Sequence, residues 1–274
     1  MMSKSKMIFL DLDGTLMDDQ KQIPEYNMSA IRDALAQGHK VIISTGRPLC
    51  SAKKLFPQLN MEQEGCYAIT FNGALIYDIF HQKTLFKQTL PIEYVRYIFE
   101  KATERGVYVQ TYSDDAVFCP KDMKEGRDYS ERLKIERIIV PNVLEVLGEQ
   151  KPCKVLAIAD DYNHKCLEDF REIFKEWAPG KVDIFFSCYE YLEFVPVGIS
   201  KGAAIRFLAD YLNIPIENTI AVGDAENDIP MIEAAGLGVA MKNASEEIKK
   251  YADYITQLDN NQGGVGEVIR KFML

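Results

Sequence analysis

Two acidic residues, Asp11 and Asp13, follow the first apolar run of the chain. Gly14 comes next and allows a sharp turn, so both carboxylates can face one pocket. One carboxylate could attack a phosphorus atom while the other protonates the departing oxygen. Two acids that cap a loop are an equally common explanation of such a pair. A calcium loop fits less well, because Leu16 and Gln22 stand where its pattern needs Gly and Glu.

Several groups along the chain could hold a phosphate. The Thr45 hydroxyl could donate a hydrogen bond to a phosphoryl oxygen. Gly46 would let the backbone approach the phosphate closely, and Arg47 could clamp phosphate or substrate. The backbone N–H groups of Leu12–Thr15 could form a small anion nest. Lys201 begins an amphipathic segment, where the helix dipole disfavours a cation unless an anion lies nearby. Taken singly, each group is also compatible with a turn or an exposed helix start.

An acidic cluster occupies Gly223–Asp228 (GDAEND), directly after an apolar run. Hard divalent cations such as Mg²⁺ prefer oxygen ligands and retain some of their water. We expect Asp224 to be a metal ligand and Asp228 to hold a metal-bound water, while Asn227 orients Lys201 or the phosphate. An acidic helix cap is the alternative. Four acid or amide groups exceed what a cap needs, so the cluster favours a metal.

These groups need a parallel sheet to bring them together. Residues 7–13 and 40–45 are predicted as buried strands around a helix at 26–37, which is typical of a parallel βαβ unit. The same rhythm returns later, with helices at 201–212 and 228–235, strands at 219–223 and 237–241, and a helix opened by Ser245. Ligands bind beyond the carboxyl ends of such strands, so one shared sheet edge is expected.

The middle of the chain has a different pattern. Residues 67–88 are predicted as short strands with a turn at Asn72-Gly73. Helices are then expected at 91–105, 121–134, 142–149 and 161–177, and strands at 107–119, 153–159 and 181–195. We therefore predict an α/β fold: a doubly wound, Rossmann-like parallel core from residues 1–83 and 193–274, with an inserted α+β cap at 84–192.

Composition excludes several classes of protein. The 274 residues carry a formal net charge of -9, which argues against nucleic-acid binding because a nucleic acid needs a basic surface. Since no apolar stretch reaches spanning length or resembles a signal peptide, we expect a cytoplasmic protein without a membrane partner. The six cysteines and three histidines follow no disulfide, zinc or triad spacing. Oligomeric state has no visible signal.

Four motifs, in this order, resemble the haloacid dehalogenase superfamily, specifically its Cof-type phosphatases with a large α/β cap. They are DLDGTL (11–16), ISTGR (43–47), GISKG (198–202) and GDAENDIPM (223–231). The fragments ITFNGALIYD (69–78) and NQGGVGEVIRKF (261–272) are also similar to that family. Within the cap, the resemblance is limited to its size and the order of its elements.

The resemblance implies roles for individual residues. Asp11 would be the nucleophile and Asp13 the general acid and base. Mg²⁺ would be held by Asp11, the backbone carbonyl of Asp13, and Asp224, while Thr45 and Lys201 contact the phosphoryl group. An Asp at position 13 favours hydrolysis over dehalogenation, because an alkoxide leaving group needs a proton. Ala225 departs from the family, whose members often have Gly or Asn there.

The expected activity is hydrolysis of a small phosphorylated metabolite, a sugar phosphate or similar polar ester, under a cap that closes over the substrate. A phosphomutase and a catalytically silent sugar-phosphate sensor are the alternatives. Specificity is expected in the cap, around residues 112–119 or 189–191, where no motif singles out a residue. The natural substrate cannot be derived from the sequence.

Overall fold

The computed structural model describes residues 5–148, 150–159 and 163–274. Two compact units make up the chain. The first consists of the chain up to Gly46, Ala52–Phe86 and Ser200–Leu274, and the second of Arg47–Ser51 and Lys87–Ile199. The strands in chain order are β1 Met7–Leu10, β2 Lys40–Ser44, β3 Cys66–Thr70, β4 Leu75–Asp78, β5 Lys83–Lys87, β6 Tyr108–Tyr112, β7 Ala116–Cys119, β8 Glu136–Ile139, β9 Val155–Ile158, β10 Val182–Cys188, β11 Tyr191–Pro196, β12 Thr219–Gly223, β13 Leu237–Ala240 and β14 Tyr254–Ile255.

The α-helices lie between and after these strands. In chain order they are α1 Glu25–Ala36, α2 Leu49–Ala52, α3 Ile92–Arg105, α4 Lys124–Leu133, α5 Val143–Leu147, α6 His164–Glu172, α7 Lys201–Tyr211, α8 Ile229–Ala234, α9 Glu246–Lys249 and α10 Gly264–Phe272. Short 3₁₀ turns occur at Lys53–Leu55, Phe71–Gly73, Ile216–Asn218 and Glu226–Asp228.

The first unit is built on one sheet, with the strand order β14-β13-β12-β1-β2-β3-β4-β5. The strands from β14 to β3 are parallel to their neighbours, and β4 turns back antiparallel to β3. Every side chain of β1 is fully buried, as expected for a parallel strand covered on both faces. The predicted α/β class with a parallel core sheet is therefore confirmed.

One face of this sheet packs against helix α7. Met7 and Phe9 from β1 and Ala221 from β12 share a buried cluster with Ile205 and Leu208 of α7. The helix begins where Ser200 accepts a hydrogen bond from the backbone N–H of Ala203 at 3.0 Å, so the predicted N-cap is confirmed. Helix packing therefore fixes where the first residue of α7, Lys201, stands relative to the strand ends.

The second unit has a sheet of its own, with the order β10-β11-β9-β6-β7-β8. Its pairs are antiparallel except for β7 with β8. The predicted strand at 107–119 is two strands, because Ser113 closes a turn by accepting hydrogen bonds from the N–H groups of Asp115 and Ala116. The predicted strand at 181–195 is likewise the β10–β11 hairpin. Strand β8 was not predicted, since its four half-exposed residues carry little periodicity.

The unit boundaries differ from those drawn on the sequence. Leu85 and Phe86 pack on the core cluster of the first unit, whereas Phe194 belongs to the core of the second. A boundary at 193 would therefore cut strand β11. The predicted helices at 142–149 and 161–177 extend to residues 149 and 161–162, which lie outside the described residues; their described parts are α5 and α6. The function of the second unit as a cap stays a proposal.

None of the helices in the described part of the chain combines the length and apolar character needed to cross a membrane.

Candidate active site

The candidate site lies where the order of the core sheet reverses. Strand β1 pairs with β2 on one side and with β12 on the other, with Leu10 opposite Ile43 and Val222. From β1 the chain first builds the β2–β3 side and later returns to build the β12–β14 side. Asp11 and Asp224 follow these strand ends, so both stand at the topological switch point, where open α/β sheets bind ligands.

Lys201 is the central cation of the site. Its side chain is fully buried, and its Nζ donates to Oδ1 of Asp11 and to Oδ1 of Asp228, each at 2.6 Å. Burial opposes the charged ammonium, but the two neighbouring carboxylates outweigh it and raise the pKa of Lys201 above its ordinary value. Lys201 is therefore a permanent positive charge that holds the Asp11 carboxylate.

Asp228 ties this lysine to the loop after β12. Its side chain is completely buried. While Oδ1 accepts from Lys201, Oδ2 accepts from the backbone N–H groups of Asp224 and Ala225 at 3.0 Å each. A side chain at Gly223 would collide with this carboxylate, its Cβ falling 2.5 Å from Cγ of Asp228. These contacts fix both the lysine and the backbone that presents Asp224.

Two residues of the loop after β1 lie against the Asp224 carboxylate. Oγ1 of Thr15 donates to Oδ1 of Asp224 at 2.6 Å. Gly14 has a left-handed φ of +85°, and a Cβ there would lie 2.4 Å from Oδ2 of Asp224. Glycine at this position therefore serves both the turn that sequence analysis expected and the close approach of a carboxylate.

The site has more negative than positive charge. Burial raises the pKa of Asp11 well above its ordinary value, the Asp228 carboxylate adds to this, and Lys201 opposes it. Burial and then Asp228 raise the pKa of Asp224 to about 7, against the hydrogen bond from Thr15 and the charge of Lys201. One ammonium thus faces three carboxylates, an arrangement that an added cation would stabilise.

The donor set fits a hard divalent cation. Asp11, Asp224 and Asp228 each have a carboxylate oxygen within 4.8 Å of the other two. All these donors are carboxylate oxygens, which Mg²⁺ prefers. Among the three, Asp228 already accepts hydrogen bonds on both oxygens, which fits the supporting role expected of it. Its predicted contact with a metal-bound water stays a prediction.

The Asp13 side chain points to a different neighbour. Its Oδ1 accepts from Nζ of Lys21 at 2.8 Å, and both side chains are partly exposed. The Asp13 carboxylate nevertheless contributes to the raised pKa of Asp224, so it remains within electrostatic range of the acidic cluster. Sequence analysis did not single out Lys21.

Thr45 and Asn227 are connected through a residue that sequence analysis treated only as a turn signal. Asn72 is buried; its Oδ1 accepts from Nδ2 of Asn227 at 3.1 Å, and its N–H donates to the carbonyl of Thr45 at 3.1 Å. Gly46 lies against the same amide. Thr45 is buried and Asn227 half-buried.

The remaining predicted residues are placed as follows. Leu12 is fully buried, so its side chain belongs to the core and only its backbone could meet a phosphate. Arg47 is half-buried and begins the Arg47–Ser51 segment of the second unit. Its charge lowers the pKa of Tyr129 in that unit, where burial dominates and raises it. The predicted phosphate contacts of both residues stay predictions.

Sequence analysis assigned no side-chain role to three residues near these groups: Thr15, Lys21 and Asn72. Thr15 stands in the quoted DLDGTL motif, and a hydroxyl so close to two acids was a usable signal. Lys21 and Asn72 are brought in by loop geometry, with φ values of +60° and +56°, which spacing does not reveal.

Comparison with known proteins gives a consistent result. A model of the family described as haloacid dehalogenase-like hydrolase matches residues 8–269. Phosphatase YwpJ of Bacillus subtilis is 29% identical over 298 residues, covering 98% of this chain and 100% of its own length. The 5-amino-6-(5-phospho-D-ribitylamino)uracil phosphatase YcsE of the same organism is 30% identical over 269 residues, covering 98% and 96%.

A solved structure shows that the similarity in sequence is accompanied by similarity in fold. The crystal structure of a haloacid dehalogenase-like hydrolase from Bacteroides thetaiotaomicron has a TM-score of 0.90 at 30% identity, over 98% of this chain and 99% of that chain. The resemblance noted on the four motifs thus extends over the whole length, second unit included. The chain therefore belongs to the haloacid dehalogenase-like hydrolase family and is a phosphatase of that superfamily.

Proposed function

We propose that this protein hydrolyses a small phosphomonoester, a sugar phosphate or similar polar ester, with Mg²⁺ and a phosphorylated Asp11. The observation that carries the proposal is the buried Lys201 ammonium, shared at 2.6 Å between Asp11 and Asp228. A carboxylate held in this way is oriented as a nucleophile, and the ammonium favours its ionised form. The lysine also offers positive charge where a phosphate would approach.

The reaction would run in two steps. In the first, an Asp11 oxygen forms a bond to phosphorus while the bond from phosphorus to the substrate's ester oxygen breaks. Asp13 gives that oxygen its proton, and the alcohol departs. In the second, water attacks the phosphorus, Asp13 takes the proton from the water, and the bond to Asp11 breaks to release inorganic phosphate.

Other side chains would hold the phosphoryl group. Lys201 and the Thr45 hydroxyl are proposed to contact its oxygens, with the backbone N–H groups of Leu12–Thr15 and Gly46 close by. Arg47 is proposed as a further clamp on phosphate or substrate. Asn227, held by Asn72, would orient the phosphate from the side of the acidic loop.

Magnesium completes the proposed site. Asp11, the Asp13 backbone carbonyl and Asp224 would hold it, with Asp228 supporting a bound water. When bound, it would neutralise negative charge on the phosphate and the carboxylates. The pKa values of Asp11 and Asp224 are raised first by burial and then by the Asp228 carboxylate, and a bound cation would offset both effects, which supports this assignment.

The proposed substrate class follows from a relative of this chain. One relative, 30% identical over nearly its whole length, is named for a phosphorylated ribityl compound. A polar, sugar-like phosphomonoester is therefore the proposed class for this chain. Which member of the class is the natural substrate would depend on groups that recognise the leaving alcohol, and we propose that the second unit supplies them as a cap.

A panel of phosphate esters tests the proposal. The purified chain with Mg²⁺ should release inorganic phosphate from sugar phosphates with measurable kcat/KM. Asp11→Asn should lower the rate by at least ~10²-fold and keep the fold by circular dichroism, whereas the matched exposed change Asp210→Asn should leave the rate unchanged. Full activity in Asp11→Asn would refute the nucleophile assignment.

The same panel separates the alternatives. A phosphomutase would release phosphate slowly from its phosphorylated enzyme and transfer it to a second hydroxyl of a sugar phosphate, which phosphorus NMR would detect. A sensor would bind sugar phosphates in calorimetry without releasing phosphate from any of them.

A further inference from the structure

The turn between β3 and β4 has an unusual backbone. Phe71, Asn72 and Gly73 follow one another with φ values of +51°, +56° and +111°. Left-handed φ is disfavoured for residues with side chains, most of all for bulky ones such as Phe; Asn tolerates it better. Both Phe71 and Asn72 are about 1% exposed. A buried turn in this conformation must be held by its surroundings, and such strain tends to concentrate at functional sites.

The turn contacts the loop after β2. The Asn72 N–H donates to the Thr45 carbonyl at 3.1 Å. A Cβ built on Gly46 would lie 3.0 Å from Oδ1 of Asn72, so the absence of a side chain at Gly46 is what makes room for this amide. Both contacts hold the backbone from the Thr45 carbonyl to Gly46, directly after the residue that carries the Thr45 hydroxyl.

The turn also contacts the two later loops of the site. Oδ1 of Asn72 accepts from Nδ2 of Asn227 at 3.1 Å, which sets the rotation of the Asn227 amide. A Cβ on Gly73 would lie 2.4 Å from the carbonyl oxygen of Ser200, so the turn packs directly against the N-cap of α7. Lys201 is the next residue. One turn thus meets the segments that carry Thr45, Lys201 and Asn227.

We propose that Asn72 is a positioning residue for phosphoryl binding: its buried amide sets the orientation of Asn227 and, with its own N–H, aligns the Thr45 loop. This inference rests on the proposed function, because it assigns Thr45, Lys201 and Asn227 to the phosphoryl group. Asn72 acts through Asn227 and Thr45 and is not itself placed on the substrate. A structural turn with no part in binding is the competing explanation.

The variant Asn72→Gly distinguishes these explanations. Glycine accepts the left-handed φ and keeps the N–H bond to Thr45, so the turn can form. Only the amide side chain is lost, and with it the hydrogen bond to Asn227. A net hydrogen bond of this kind corresponds to roughly a tenfold change in binding. We expect the Kd for inorganic phosphate, measured calorimetrically with Mg²⁺ present, to rise about tenfold.

A double-mutant cycle supplies the decisive readout, because a merely structural role of Asn72 would not couple it to Asn227 in phosphate binding. Asn72→Gly and Asn227→Ala should each weaken phosphate binding, and lower kcat/KM on the best ester of the panel, by about tenfold. The double variant should be little worse than either single one, since both changes remove one interaction. Asn213→Gly is the matched control: Asn213 is exposed, has a φ of +52°, and its change should alter neither quantity.

The outcomes distinguish this inference from the proposed function. Unchanged phosphate binding in Asn72→Gly, or effects that multiply to about 100-fold in the double variant, overturns the positioning role even if the wild-type chain hydrolyses esters. Phosphate binding without turnover in the wild-type chain refutes hydrolysis, while the Kd cycle still decides on Asn72. Neither binding nor turnover in the wild-type chain would overturn both.

Discussion

At the scale of single residues, each acid of the site has a different environment. Asp11 is buried and bonded to Lys201, and Asp228 is buried and fully hydrogen-bonded. Asp224 is half-buried under a threonine hydroxyl, whereas Asp13 is partly exposed beside Lys21. Carboxylates placed differently take on different chemical tasks. Two predictions test this separation.

The first concerns Asp13 as general acid. With Asp13→Asn, hydrolysis of an alkyl phosphate should slow by ~10²-fold or more, because the alkoxide leaves without a proton. With p-nitrophenyl phosphate, the first turnover should stay close to the wild-type rate, since nitrophenolate is a stable leaving group, and then slow steady turnover should follow. Stopped-flow release of nitrophenolate measures both phases. Equal losses in the first turnover of both esters would contradict the assignment.

The second concerns pH and magnesium. The pKa of Asp224 is raised to about 7, mainly by burial, so the folded chain favours its neutral form below that pH. Without metal, the stability contributed by this neutral form is lost as pH rises from the ordinary carboxyl range towards 7. Magnesium needs the carboxylate, so its affinity should be roughly tenfold weaker at pH 6 than at pH 8.

Calorimetric magnesium titrations at the two pH values check this expectation. Asp224→Asn should bind magnesium weakly at both. An affinity that does not change between pH 6 and pH 8 in the wild-type chain would count against Asp224 as a ligand.

At the scale of elements, the site depends on how closely loops approach one another. The loop after β1 comes so near the loop after β12 that Gly14 has no space for a side chain. Gly14 also accepts, on its carbonyl, a hydrogen bond at 2.8 Å from Nδ2 of Asn243 in the loop after β13. The loop after β1 is therefore held by the loops of β12 and β13, which lie on the same side of β1 in the sheet.

Two glycines allow this to be tested. Gly14 and Gly38 have similar φ values, +85° and +81°, but a Cβ meets Asp224 in the first and nothing within 4 Å in the second. Alanine at either position should cost about 1–2 kcal/mol of stability for the left-handed backbone. Only Gly14→Ala should also lose magnesium binding and phosphatase activity. Thermal unfolding and calorimetry measure the two effects, and normal magnesium affinity in Gly14→Ala would contradict the geometry.

At the scale of the whole molecule, the chain consists of two folding units, and the candidate site lies in the first of them. Each unit has its own sheet and hydrophobic core. The acids and the lysine all belong to the first unit, although its segments are distant in sequence. A ligand of those acids should therefore stabilise the first unit as a whole.

Magnesium should raise the melting temperature of that unit. A ligand at about 100 times its Kd adds about 2.7 kcal/mol, which for a unit of this size corresponds to roughly 5–10 °C. Differential scanning calorimetry with magnesium and then with EDTA measures the shift. Asp224→Asn should abolish it, and an equal shift in that variant would show that magnesium binds elsewhere.

Much of the fold could be predicted from the sequence, because the information is local. Continuous apolar runs such as Met7–Leu10 predict buried parallel strands, and Ser200 marks the start of α7 by a capping interaction that spans three residues. Strands β6 and β7 were merged and β8 was missed, since a short turn and a half-exposed edge strand leave little pattern. The expected boundary at 193 falls within β11, because an apolar strand of the second unit resembles, in sequence, a strand of the first.

By itself, the sequence determined the residue types of the site and, through strand ends, the sheet edge on which they meet. Only the tertiary structure decided their partners: Lys201 between Asp11 and Asp228, Thr15 on Asp224, and Asn72 against Asn227. The physical reason is that strand ends and apolar periodicity are encoded by residues close together in the sequence. Side-chain contacts across a switch point join residues as distant in sequence as Thr15 and Asp224, which are 209 positions apart. Such contacts depend on packing that no single segment encodes.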